Sequence, residues 1–105
     1  EITSRSPSSF DSLSRNDRSI FGTSWTLLAS ALRENGSFRE ASSAFLSAGA
    51  IFSSLDAERS AEALYGAVDS FLQSGQTGDA EKTLATMETK WPDSLWTRRA
   101  SLLLE

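Results

Sequence analysis

Apolar residues in this chain fall at helical spacing over most of its length. Trp25, Leu28, Ala29 and Leu32 stand at i, i+3, i+4 and i+7, and Asn35-Gly36 ends that stripe. Ala41, Ala44, Phe45, Ala48 and Phe52 keep the same period and stop near Ser53-Ser54. Leu64, Ala67, Val68 and Phe71 make a third stripe closed by Ser74-Gly75. A fourth runs through Ala80, Leu84 and Met87 to Trp91-Pro92, where the proline cannot continue a helix. A fifth opens on the cap signal Asp93-Ser94 and carries Trp96, Ala100 and Leu103. The pattern predicts an all-α domain of five antiparallel helices joined by short turns.

Residues 1–21 read differently. Residues 1–19 hold seven Ser and three Arg, with only Ile2, Phe10 and Leu13 as large apolar groups. Such a segment buries too little to offset its chain entropy, so it reads as a tail or linker, with the ordered body starting near Gly22. Phe10, Leu13, Ile20 and Phe21 are the groups by which it would dock on the first helix. Glu1, in place of an initiator Met, points to a processed or excised piece.

The stripes repeat. Gly36 to Gly75, Ala41 to Ala80, Phe45 to Leu84 and Trp25 to Leu64 are each 39 residues apart. Each unit is a helix, a turn containing glycine, and a second helix with Ala in its first turn. Large residues on the first helix, such as Trp25 and Leu32, need small partners where the backbones approach. Ala29 and Ala41 supply them in unit one, Ala67 and Ala80 in unit two.

Composition narrows the chemistry. Of the 105 residues, Leu and Ala supply 26 and Val and Ile only 4, which favours helix over strand. There is no Cys and no His, which removes disulfides, thiol nucleophiles, imidazole bases and the usual zinc ligands. No metal or cofactor site is expected. A net charge of −4 argues against nucleic acid, whose binders need a basic face. No apolar run is long enough to span a membrane, and residues 1–19 lack the apolar core of a signal peptide. The charge is uneven: residues 34–88 carry −6, while residues 1–33 and 89–105 each carry +1.

The spacing W25-x2-L28-A29-x2-L32-x3-G36-x4-A41-x3-F45-x2-A48 resembles the tetratricopeptide (TPR) repeat. A second unit, L64-x2-A67-V68-x2-F71-x3-G75-x4-A80-x3-L84-x2-M87-x4-P92, follows it with Leu for the leading Trp and Val for the small residue. The 39-residue period departs from the family's 34 and implies longer helices around residues 50–60. The resemblance covers residues 22–105, as units of about 22–54 and 56–92 and a partial or capping helix 94–105. It implies a short right-handed solenoid acting as a non-catalytic interaction module, a scaffold or adaptor. K90-W91-P92-D93-S94 with Ala100 is also similar to TPR-bearing periplasmic and outer-membrane assembly lipoproteins of bacteria, which implies a periplasmic or cell-envelope location.

In TPR proteins the first helix of each unit lines a concave groove that binds peptides. The resemblance therefore assigns Thr26, Ser30 and Arg33, with Glu62, Tyr65, Asp69 and Gln73, to the partner-binding groove. Glu58, Glu62, Asp69 and Gln73 fall on one polar stripe, and an acidic groove would favour a basic or neutral peptide. The subfamily that grips C-terminal carboxylates uses Lys, Asn and Arg on the groove helices. Here Thr26, Ser30 and Tyr65 or Gly66 stand in those places with only Arg98 cationic, so that clamp is missing.

Other constellations have plainer readings. Paired carboxylates could serve as acid and base, but a solvated helix face accounts for them better. Gly75-Gln76-Thr77-Gly78 lacks the Lys-Ser/Thr of a phosphate loop and follows a helix, so it reads as a turn, as does Asn35-Gly36-Ser37. Tyr65 shares its face with Ala61, Val68 and Leu72, which favours a core role, while a lone Tyr flanked by acids fits a binding anchor. Trp25, Trp91 and Trp96 read as structural. Leu102-Leu103-Leu104 spreads apolar groups over more than one helix face, so further repeats or a second subunit should lie there. That feature keeps a second reading open, a structural segment or oligomerisation module with no peptide ligand.

Overall fold

The computed structural model describes residues 14–105, of which 82% are helical, with no strand among the described residues. The helices are α1 (Arg15–Glu34), α2 (Phe38–Phe52), α3 (Ala57–Gln73), α4 (Thr77–Lys90) and α5 (Leu95–Leu103). The all-α class and the five helices agree with the sequence pattern. Residues 1–13, with the proposed anchors Phe10 and Leu13, lie outside the described residues.

Helix α1 starts seven residues before Gly22, so residues 15–21, assigned above to the tail, belong to it. The Ser14 hydroxyl caps it by accepting the Asp17 N–H at 3.0 Å, and Asp17 adds a negative charge to its first turn. The Arg15 guanidinium donates to the Leu55 carbonyl at 2.6 Å, tying the new turn to the α2–α3 connection. These are polar determinants, invisible to a search for apolar period.

The repeat is clearest at the helix ends. Gly36 and Gly75 take positive φ, 82° and 80°. The Ser37 N–H reaches the Leu32 carbonyl and the Gly36 N–H that of Arg33; Gln76 and Gly75 bond Phe71 and Leu72 in the same way. Both are Schellman endings, in which a left-handed glycine lets the chain satisfy the last carbonyls and reverse. α1 and α3 thus end, and α2 and α4 begin, 39 residues apart. α4 starts at Thr77, which puts Gly78 inside its first turn instead of the inter-helix turn. Asp56 caps α3 through the Arg59 N–H and Ser94 caps α5 through the Trp96 N–H.

α1 packs on α2, α2 on α3, and α3 on both α4 and α5, which also touch each other. The shortest extent, 19 Å, is about two helix diameters. Ala29, Ala41, Ala67, Val68, Ala80, Met87 and Ala100 are fully buried, with Phe45 and Phe71 nearly so. A Cβ on Gly66 would sit 2.7 Å from the Phe45 ring, so α3 approaches α2 more closely than any larger residue would allow. The Ser60 hydroxyl donates to the Gly49 carbonyl at 2.7 Å across the same contact.

Unit one departs from the interlock expected of it. Trp25 and Leu28 remain 37% and 47% exposed, and α1 rests chiefly on α2. Only the small members, Ala29 and Ala41, are fully buried there. Ala41→Leu or Ala80→Leu should therefore overpack the helix crossing and cost roughly 1–3 kcal/mol in urea denaturation. Ser30→Leu, at a half-buried site, should cost clearly less. Equal midpoints for all three variants would show that the two alanines do not mark the close approach.

Candidate functional site

Two polar bridges of equal sequence offset link α1 to α3. The Arg59 Nη1 donates to Thr23 Oγ1 at 3.2 Å, and Arg33 Nη1 meets Asp69 Oδ2 at 3.5 Å. Each pair is 36 residues apart, so α1 and α3 run in the same direction. An open cleft of about 420 Å³ lies along these two helices.

Its floor comes from α2. Phe45 and Phe52 both line the cleft, and each ring lies where a glycine leaves room, Phe45 against Gly66 of α3 and Phe52 against Gly22 of α1. An arginine covers each ring: the Arg33 guanidinium stands 5.0 Å from the Phe45 centroid and that of Arg59 5.5 Å from Phe52. These cation–π contacts hold the bridging side chains over the apolar floor. At the α5 side, Tyr65 and Trp96 meet with centroids 5.4 Å apart and planes inclined by 47°. The Arg99 guanidinium lies 5.0 Å from the Trp96 ring.

Thr26, Ser30, Arg33, Glu62 and Tyr65 all line this cleft. Asp69 is engaged with Arg33, and Gln73 is exposed and takes no part in the lining. The Thr26 hydroxyl donates to the Gly22 carbonyl at 2.9 Å within its own helix. Tyr65 is half-buried, packed on the core and on the cleft wall at once, so its two readings describe one position. Trp96, read as structural, lines the cleft as well.

The acidic groove expected from the sequence is not what the side chains form. Arg33, Arg59 and Glu62 line the cleft, two cations and one acid, while Asp69 is paired with Arg33 and is not among the lining residues. Arg33, which the resemblance assigned to the groove, comes from α1, and Arg59 stands among acids on α3. The exposed acids Glu40, Asp79, Glu81 and Glu88 lie on α2 and α4, outside the cleft lining. A basic partner is therefore not specified by this cleft.

The floor was also missed, because Phe45 and Phe52 sit on a stripe that reads as pure core. A signal for Arg59 did exist: it precedes Glu62 by three residues and so shares its helix face. Among the described residues there is no group of three or more Asp or Glu placed to hold a metal ion, and no helix long and apolar enough to cross a membrane. Compared with protein-family models, curated proteins and solved structures, the chain matches none.

The Arg33–Asp69 pair is 35% and 26% exposed, so solvent weakens it. A double-mutant cycle with Arg33→Gln and Asp69→Asn should give a coupling of about 0.2–1 kcal/mol that shrinks as salt is raised. A coupling well above that range, unchanged by salt, would mean the pair is far drier than its geometry indicates.

Proposed function

We propose that this chain is a non-catalytic protein–protein interaction module, an adaptor or scaffold that takes a peptide segment into the cleft between α1 and α3. In this reading its helices form two and a half TPR-like units of a right-handed solenoid. The duplicated Schellman endings and the parallel α1 and α3 support the repeat architecture. One observation carries the binding role: Arg33, Arg59, Tyr65 and Trp96 converge on one cleft over a floor of two phenylalanines. Tyr, Trp and Arg are the residue types that dominate interface energetics, and an apolar floor with a polar rim is how such sites are built. The partner that fits is a segment with one apolar anchor, flanked by both signs of charge to meet Glu62 and the arginines.

A structural role within a longer helical array is the second reading. It is favoured by α5, where Leu95, Leu102 and Leu103 are 53%, 65% and 39% exposed.

Panning a random peptide display library on the wild-type chain tests the first reading. Ser30→Trp would fill the cleft from α1 and should abolish capture of the selected peptides while leaving helical circular dichroism intact. Tyr65→Ala should weaken binding by roughly tenfold or more, mainly through faster dissociation. Peptides that bind wild type and Ser30→Trp equally would rule out the cleft as the site.

A further inference from the structure

Asn35 precedes Gly36 in the turn between α1 and α2, and both residues are exposed. That pair has a chemistry of its own. The backbone nitrogen after an asparagine can attack the side-chain amide carbon, and glycine hinders the approach least because it has no Cβ. Space does not limit the attack, since even a Cβ on Gly36 would meet nothing within 4 Å. The chain's other asparagine, Asn16, precedes Asp17 inside the first turn of α1.

The folded turn holds the nucleophile away from its target. Ring closure needs the Gly36 nitrogen on the Cβ side of the Asn35 Cα–C bond. At ψ −2° that nitrogen eclipses the nitrogen of Asn35 instead, a third of a turn away. The Gly36 N–H also donates to the Arg33 carbonyl at 3.0 Å, and the Ser37 N–H to that of Leu32 at 2.8 Å. Both bonds must open before the Asn35 backbone can rotate. The Ser37 side chain makes no capping bond to α2, so main-chain bonds alone close this turn. Ser74-Gly75 ends α3 with the same geometry, Gly75 at φ 80° with its N–H on the Leu72 carbonyl, but lacks the reactive amide.

We propose that Asn35 is a modification site: it deamidates spontaneously at a rate set by opening of the α1–α2 turn, and the product loosens the end of α1 that carries Arg33. The Gly36 nitrogen bonds to Asn35 Cγ and gives up its proton to solvent, while the Cγ–Nδ2 bond breaks and ammonia leaves. Water then opens the five-membered imide at one carbonyl or the other, leaving isoaspartate or aspartate. In isoaspartate the main chain runs through Cβ and gains one atom before Gly36, so the two bonds of the turn no longer close together. Either product places a negative charge beside Glu34 at the C-terminal end of α1, where the helix dipole disfavours it. Arg33, which reaches Asp69 of α3, lies two residues away.

Incubating the full chain at neutral pH and following the tryptic peptide Glu34–Arg39 by mass spectrometry tests the reaction. In concentrated urea Asn35 should deamidate roughly tenfold or more faster than Asn16, because only Asn35 is followed by glycine. Folding should slow Asn35 by about tenfold or more, since the rate falls with the fraction of time the turn stands open. The deamidated protein, separated by anion exchange, should exchange its Gly36 and Ser37 amide protons faster than the unmodified chain. Asn35→Ser, which copies Ser74, should keep both its mass and its exchange rates over the same period. An Asn35 no faster than Asn16 in urea overturns the site. Equal rates in the folded and unfolded chain overturn the gate. A deamidated chain whose Gly36 and Ser37 amides exchange as before overturns the loosening of α1.

Discussion

The close approach of α2 and α3 is the constraint on which the other features rest. It exists because α3 turns Ser60, Ala63, Gly66, Ala67 and Ser70 inward, leaving no side chain larger than a methyl or hydroxymethyl group on that line. Gly66 gives the Phe45 ring its seat, and Ser60 closes the contact with a buried hydrogen bond to Gly49. With Phe45 fixed, Arg33 has an aromatic face to lie on and a position from which to reach Asp69. The cleft is thus a by-product of helix packing: its floor is two rings of the α2 stripe, almost fully buried beneath α1, α3 and the two arginines. A larger residue at Gly66 would act on the site through Phe45 before touching anything in the cleft.

Turn chemistry and apolar period were legible from the residues, since both are local. Asn35-Gly36 and Ser74-Gly75 announced two helix ends whose hydrogen bonds are now seen to be alike, and Asp93-Ser94 announced a helix start. The start of α1 was not legible, because it depends on a serine cap, a first-turn aspartate and an arginine bound 40 residues away. The cleft wall was half legible. Thr26, Ser30, Arg33, Glu62 and Tyr65 were implied by the family resemblance, whereas Phe45, Phe52 and Arg59 enter through the relation between helices that no single stripe encodes. Charge suffered most, as an acidic stripe on one helix says nothing about cations reaching over from the next.

Register also separates what the two units share from what they do not. Ala41 and Ala80 are equally buried and the glycine turns are alike, so the frame is common. The outward side of the first helix is where the units differ, small in α3 and bulky in α1. Positions that hold the frame are alike in both units, and those outside it differ.

Helix α3 touches α2, α4 and α5, while α1 rests chiefly on α2 and is joined to α3 by two partly exposed polar bridges. An opened α1 would take one whole wall of the cleft with it. A peptide held between α1 and α3, as proposed, would close that route, because it would bind only the form in which both walls stand. Such occupancy would read out as slower amide exchange and slower proteolytic nicking along residues 15–34, far from any residue touched on α3. Helix α1 would then be the gauge of whether the proposed site is occupied.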